Sequence, residues 1–200
     1  MITMLTTTSI IFLLSALLLN TEAAAYRWAA SIDRSTGIAQ SCESSRVPAT
    51  SRLSQQPSVE DVFSLYPQWL STFRISMGLL TTKKQADGST SLQDRLFGLH
   101  LLEFGKHKCT DANTVLIPIN GGILARSDDG RNYGGLSFSL RQEGEIMETA
   151  IYHGYRPTIA GKAPVSCVRA WTYRSTQSLL HAYVMWRFHG YCYDATAPWE

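Results

Sequence analysis

The 200-residue chain contains no Asn-x-Ser/Thr sequon, no C-x-x-C or H-x-x-H pair and no G-x-S-x-G elbow. These absences exclude N-glycosylation, the usual zinc-ligand spacings and the strand-turn-helix serine nucleophile. The sequence has four cysteines, no two of them closer than 25 residues, so no metal site is expected. Runs of Lys/Arg interleaved with aromatics are also missing, and the net charge is only +2. No nucleic-acid partner follows from such a balance. Gly121-Gly122 and Gly134-Gly135 lack the spacing of a dinucleotide or P-loop cradle, and Asp128-Asp129 lacks the alternating carboxylates of a calcium loop. No cofactor is expected.

What is present begins with residues 1–25. An apolar run from Ile10 to Leu19 precedes Ala23-Ala24-Ala25, the layout of a secretory signal peptide with cleavage after Ala25. Its n-region has no Lys or Arg, a departure from the usual pattern. The run is half the roughly 20 residues a bilayer demands, and nothing after it approaches that length, so no stable membrane span is expected. The chain is therefore expected to be secreted or lumenal. An even cysteine count in an exported chain reads as two disulfides among Cys42, Cys109, Cys167 and Cys192.

Residues 26–57 are rich in Ser, Ala and Arg and poor in large apolar side chains, which predicts an irregular arm. One α+β domain is expected over 58–194, with a tail at 195–200. Ser58 and Asp61 read as a capping box for a short helix carrying Val62, Phe63, Leu65 and Tyr66, with Pro67 opening a second helical stretch. A solvated loop is expected over 83–90 and a helical turn from Leu92 to Phe97. The second half then turns to period two between glycines and prolines. Antiparallel strands are predicted at Thr114–Ile119, Gly135–Leu140, Ile146–Tyr155 and Val165–Tyr173. A final helix, Ser175 to His189, is apolar over most of its circumference and must be buried against the concave face of the sheet. If the last strand and this helix pack antiparallel, Cys167 and Cys192 end side by side, leaving Cys42 to pair with Cys109.

The order Tyr66-Pro67-x-Trp69-Leu70, Ile119-x-Gly121-Gly122, Gly135-Leu136-Ser137-Phe138, Arg169-x-Trp171-x-Tyr173 and His181 resembles small uncharacterised domains of the START-like helix-grip superfamily, over roughly Val59 to Tyr191. The resemblance implies a sheet wrapped around the C-terminal helix, with an apolar ligand commonly held between them. A minority of such proteins cyclise or hydrolyse what they hold, but no catalytic motif is matched here residue by residue.

The leading expectation is a secreted protein binding a small apolar molecule between sheet and C-terminal helix, lined by Arg169, Trp171, Tyr173, Tyr183 and Trp186. Arg169 among aromatics suits an acidic group on that ligand. The alternatives are an enzyme on the same scaffold, cyclase- or hydrolase-like, with His153, Tyr155 and His181 as acid–base candidates beside Arg169, and an interaction protein whose aromatics fill the core. His181 and His189 lie about 12 Å apart along one helix face and cannot share a metal. Terminal sequencing of the exported protein should begin at Tyr26; a chain still starting at Met1 would overturn the signal-peptide reading.

Overall fold

Strand pairing begins inside the segment expected to be irregular. The structure, a computed structural model, describes residues 26–46, 58–72, 80–86, 88–126, 134–141, 146–152 and 155–193. Arg27–Ile32 (β1) and Ala39–Arg46 (β2) form an antiparallel hairpin in the register Arg27↔Ser44 to Ile32↔Ala39. Its turn is closed by the Asp33 carboxyl, which accepts from Ser35 N, Ser35 Oγ and Thr36 Oγ1 at 2.7–2.9 Å. Serine and alanine carry weak strand preference of their own, so β2 is held by ladders on both sides rather than by its side chains. That tertiary support is invisible in the local composition.

One helix, Val59–Thr72 (α1), follows. Ser58 and Asp61 form the expected cap: Asp61 N donates to Ser58 Oγ at 3.2 Å, and Ser58 N donates back to Asp61 Oδ2 at 3.0 Å. Pro67 lies within this helix instead of starting a second. It forfeits one helical hydrogen bond, which the burial of Val59, Val62, Tyr66, Trp69 and Leu70 along one face offsets.

Seven more strands complete the sheet: Leu80–Lys84 (β3), Thr90–Asp94 (β4), His100–Phe104 (β5), Lys108–Asp111 (β6), Thr114–Gly121 (β7), Gly135–Arg141 (β8) and Ile146–Tyr152 (β9). The loop expected over 83–90 is thus the tip of the β3–β4 hairpin, and the helical turn expected from Leu92 is strand as far as Asp94. Asp94 does cap, but it caps a β-turn, accepting from Leu96 N and Phe97 N at 2.8 and 3.0 Å. All pairings are antiparallel, and the order across the sheet is β1-β2-β9-β8-β7-β5-β4-β3, with β6 also beside β7. The last strand therefore returns to the N-terminal hairpin.

The C-terminal helix runs unbroken as Cys167–Tyr173 (α2), a π-helical turn Arg174–Ser178, and Leu179–Tyr193 (α3). The strand expected at Val165–Tyr173 is helix, started by Ser166, whose side chain accepts from Arg169 N. Ala170, Tyr173, Ser178, Ala182, Met185, Phe188 and Cys192 are buried along one seam, with His189 buried beside Phe188. Their spacing is three or four except for the step of five from Tyr173 to Ser178, and the π turn sits at that step. An extra residue there keeps the seam facing the sheet on both sides of it. The architecture is α+β, an antiparallel sheet with a long C-terminal helix across it, arranged in the helix-grip manner.

The continuous helix removes the expected bridges. Cys167 and Cys192 stand at opposite ends of one helical rod, roughly 37 Å apart at ~1.5 Å per residue, against the ~7 Å limit for disulfide-linked Cα atoms. All four cysteines are free: Cys109 and Cys167 are exposed, Cys42 is half-buried and Cys192 is buried. Burial, with the nearby Glu148 and Glu43, pushes the Cys42 thiol up to about 11. Thiol labelling of the native protein at pH 7.5, without reductant, should modify Cys167 and Cys109 ahead of Cys42 and leave Cys192 until denaturation. Fewer than four thiols in denaturant would show a bridge.

Candidate functional site

Helix α1 does not lie flush against the sheet. Between it and the β3–β4–β5 side is a cavity of about 700 Å³. Phe63, Tyr66 and Leu70 line it from the helix, and Phe104, Ile117 and Leu136 from the strands. These side chains face it because α1 repeats apolar residues at helical spacing while β7 and β8 alternate theirs inward. Thr82 and Thr90 add hydroxyls, and the solvent-exposed Glu60, Asp61, Lys84, Lys106 and His107 stand around it. A largely apolar hollow of this size with a few polar groups is the usual form of a small-molecule site.

The polar groups differ in how they are committed. Cys109 Sγ donates to Glu60 Oε1 at 2.7 Å, a bond that raises the thiol's pKa. Asp61 is held low by the Ser58 hydroxyl and amide. His107 packs on Phe63, ring centroids 4.8 Å apart. Neither Lys84 nor Lys106 has an ionic or hydrogen-bond partner among the described residues.

The centre of the contact between sheet and C-terminal helix, where a ligand was expected, is filled instead. Tyr66, Trp69, Phe138 and Phe188 meet there with ring centroids 5.0–6.3 Å apart, and all four are buried. Beside this aromatic block, the inward face of β2 is polar: Ser41, Glu43 and Ser45 are all buried. The helix answers with polar groups of its own. His181 Nε2 lies 3.5 Å from Glu43 Oε1, and the Ser45 hydroxyl shares a 2.5 Å hydrogen bond with His189 Nδ1. Tyr26 packs edge-on against the His189 ring at 5.5 Å and donates from its hydroxyl to Ala182 O at 2.9 Å.

Burial sets the electrostatics of this seam. It drives His189 down to about 3, with His181 adding to the shift. Burial also pushes Tyr173 up to about 12 and Tyr66 higher still, the Glu43 carboxyl contributing to both. A phenol held neutral and an imidazole held neutral are structural groups here; none of Glu43, Ser45, His181 and His189 lines the cavity.

The expected site residues are dispersed. His153 lies outside the described residues. Tyr155 is buried, its hydroxyl donating to Leu124 O at 3.1 Å and accepting from Gln177 Nε2 at 2.6 Å, and burial raises its pKa. Arg169 is exposed and lies over Gly161, where a Cβ would meet the guanidinium. Trp171 is 61% exposed, on the opposite side of the helix from buried Tyr173. Tyr183 and Trp186 are half-buried neighbours, rings 5.7 Å apart, with Arg187 over the Trp186 ring. None of the described ones lines the cavity. The residues missed were Lys84, Lys106 and Glu43; the alternation Ser41-x-Glu43-x-Ser45 was the available signal for the last.

No protein family matches this sequence, and no curated protein matches it. Among solved structures, CalU16 from Micromonospora echinospora is similar at 14% identity, over 83% of this chain and 92% of that one, with a TM-score of 0.31. A superposition at that score carries no argument about fold or activity.

Because His189 is depressed in the folded state and ordinary when unfolded, unfolding takes up a proton between pH 6.5 and about 3. Its contribution to stability is complete above pH 6.5 and is lost progressively as pH falls through that window, by up to about 1.4 kcal/mol per pH unit. Urea unfolding across pH 4–7 should therefore show a shallower pH slope for His189→Asn than for the parent. Equal slopes would mean the imidazole is not held neutral.

Proposed function

We propose that this is an exported small-molecule-binding protein that takes an apolar ligand into the cavity beneath α1. The observation that carries the reading is the cavity itself, about 700 Å³ walled by Phe63, Tyr66, Leu70, Phe104, Ile117 and Leu136. Apolar surface left wet in such a hollow costs about 25 cal/mol per Å²; a ligand that covers it recovers that free energy. The aromatic block packed under the C-terminal helix supports a rigid wall on one side, since Tyr66 belongs to both. Export is supported by the layout of residues 1–25, and no helix among the described residues is long and apolar enough to cross a membrane.

The enzyme alternative finds no comparable support. Tyr155 and His181, the two described acid–base candidates, stand away from the cavity, and Tyr155 is committed to Leu124 and Gln177.

Native mass spectrometry of protein from its natural host should show a co-purifying small molecule. Thr82→Trp places an indole in the hollow from the half-exposed β3 strand, and should abolish that added mass without lowering the melting temperature. Apo protein throughout, or retention undiminished in Thr82→Trp, would refute this reading.

A further inference from the structure

The cavity's polar groups point to the chemistry of its occupant. Lys84 pairs across the ladder with Thr90, and Thr90 pairs with Phe104, so these three residues form one row across β3, β4 and β5. Residues in such a row project from the same face of the sheet, and all three line the cavity. Lys106 follows two residues after Phe104, in the segment joining β5 to β6, and lines it too. Two strand spacings, about 10 Å, separate Lys84 from Phe104, a distance two lysine side chains can span between them. Both lysines thus border the cavity from its β3–β5 side.

The two carboxylates nearby make no ion pair with them among the described residues. Glu60 accepts from Cys109 and Asp61 from Ser58. The cavity therefore joins an apolar wall, including Phe104 and Ile117, to two exposed cations that make no ion pair among the described residues.

We propose that the ligand is an amphiphile with an apolar body and one anionic group, the body lying under α1 and the anion held between Lys84 and Lys106. This inference rests on the cavity being the ligand site. It assigns the acidic group to these two lysines and not to Arg169, which lies outside the cavity.

Isothermal titration with dodecanoate, dodecanol and dodecylammonium separates the possibilities, because the three share one chain and differ in head charge. Dodecanoate should bind at least about tenfold more tightly than dodecanol, the range for a hydrogen bond to a charged group, and dodecylammonium should bind most weakly. The gap between acid and alcohol should narrow as salt is raised and close to within about twofold in the Lys84→Gln/Lys106→Gln double variant. Lys84 and Lys106 are exposed, so circular dichroism should show an intact fold in that variant. Equal affinity for acid and alcohol, a preference for the ammonium, or an acid preference that survives the double substitution would overturn the assignment while leaving the cavity reading standing. Binding of none of the three would overturn the cavity reading and this one with it.

Discussion

Glu43 is wholly buried on β2, and the rest of the structure is arranged around the need to face it with something polar. A carboxyl group taken out of water costs several kcal/mol unless it is met by hydrogen bonds or opposite charge. The C-terminal helix supplies His181 opposite Glu43 and His189 opposite Ser45, and it can do so in only one axial register. Sliding that helix by one turn would set Val184 or Met185 against the acid in one direction, and Met185 or Trp186 against Ser45 in the other. The polar seam therefore positions the helix, while the packing of Phe188 against Tyr66, Trp69 and Phe138, with the burial of Tyr173 and Met185, adds apolar free energy that holds it there.

That division of labour explains why the gap under the C-terminal helix is closed and the one under α1 is open. The C-terminal helix presents an unbroken buried seam, kept in phase by the π turn at Arg174–Ser178. Helix α1 is shorter, is interrupted by Pro67, and meets the sheet through Tyr66, Trp69 and Leu70. Val59 and Val62 are buried as well, and the flank of α1 that carries Phe63, Pro67 and Leu70 borders the hollow, with Phe104, Gly105 and Lys106 across it. The ligand proposal follows from that hollow.

Legibility of the fold was uneven for physical reasons. Strands β7 and β8 could be read because their buried apolar side chains recur at every second position, so the period of two survives in the letters. Strand β2 could not, because its buried face is Ser41, Glu43 and Ser45 and its periodicity is polar on polar. The stretch Val165–Tyr173 misled in the opposite sense. Val-x-Cys-x-Arg-x-Trp-x-Tyr alternates by chance, and the Ser166 cap three residues before Arg169 was the local sign that a helix starts there. Reading it as strand brought two cysteines together that the helix holds at its two ends.

The sequence by itself determined the mixed α+β class, the capped start of α1, the central antiparallel strands and a buried apolar helix at the C-terminus, because each is written in short-range periodicity and capping chemistry. Tertiary structure alone decided that the Ser-rich N-terminal segment becomes the hairpin on which β9 closes, that the four cysteines stay apart, and that the hollow lies beneath α1. Those outcomes depend on ladders and contacts between residues far apart in the chain, and no local pattern carries the free energy of such pairings.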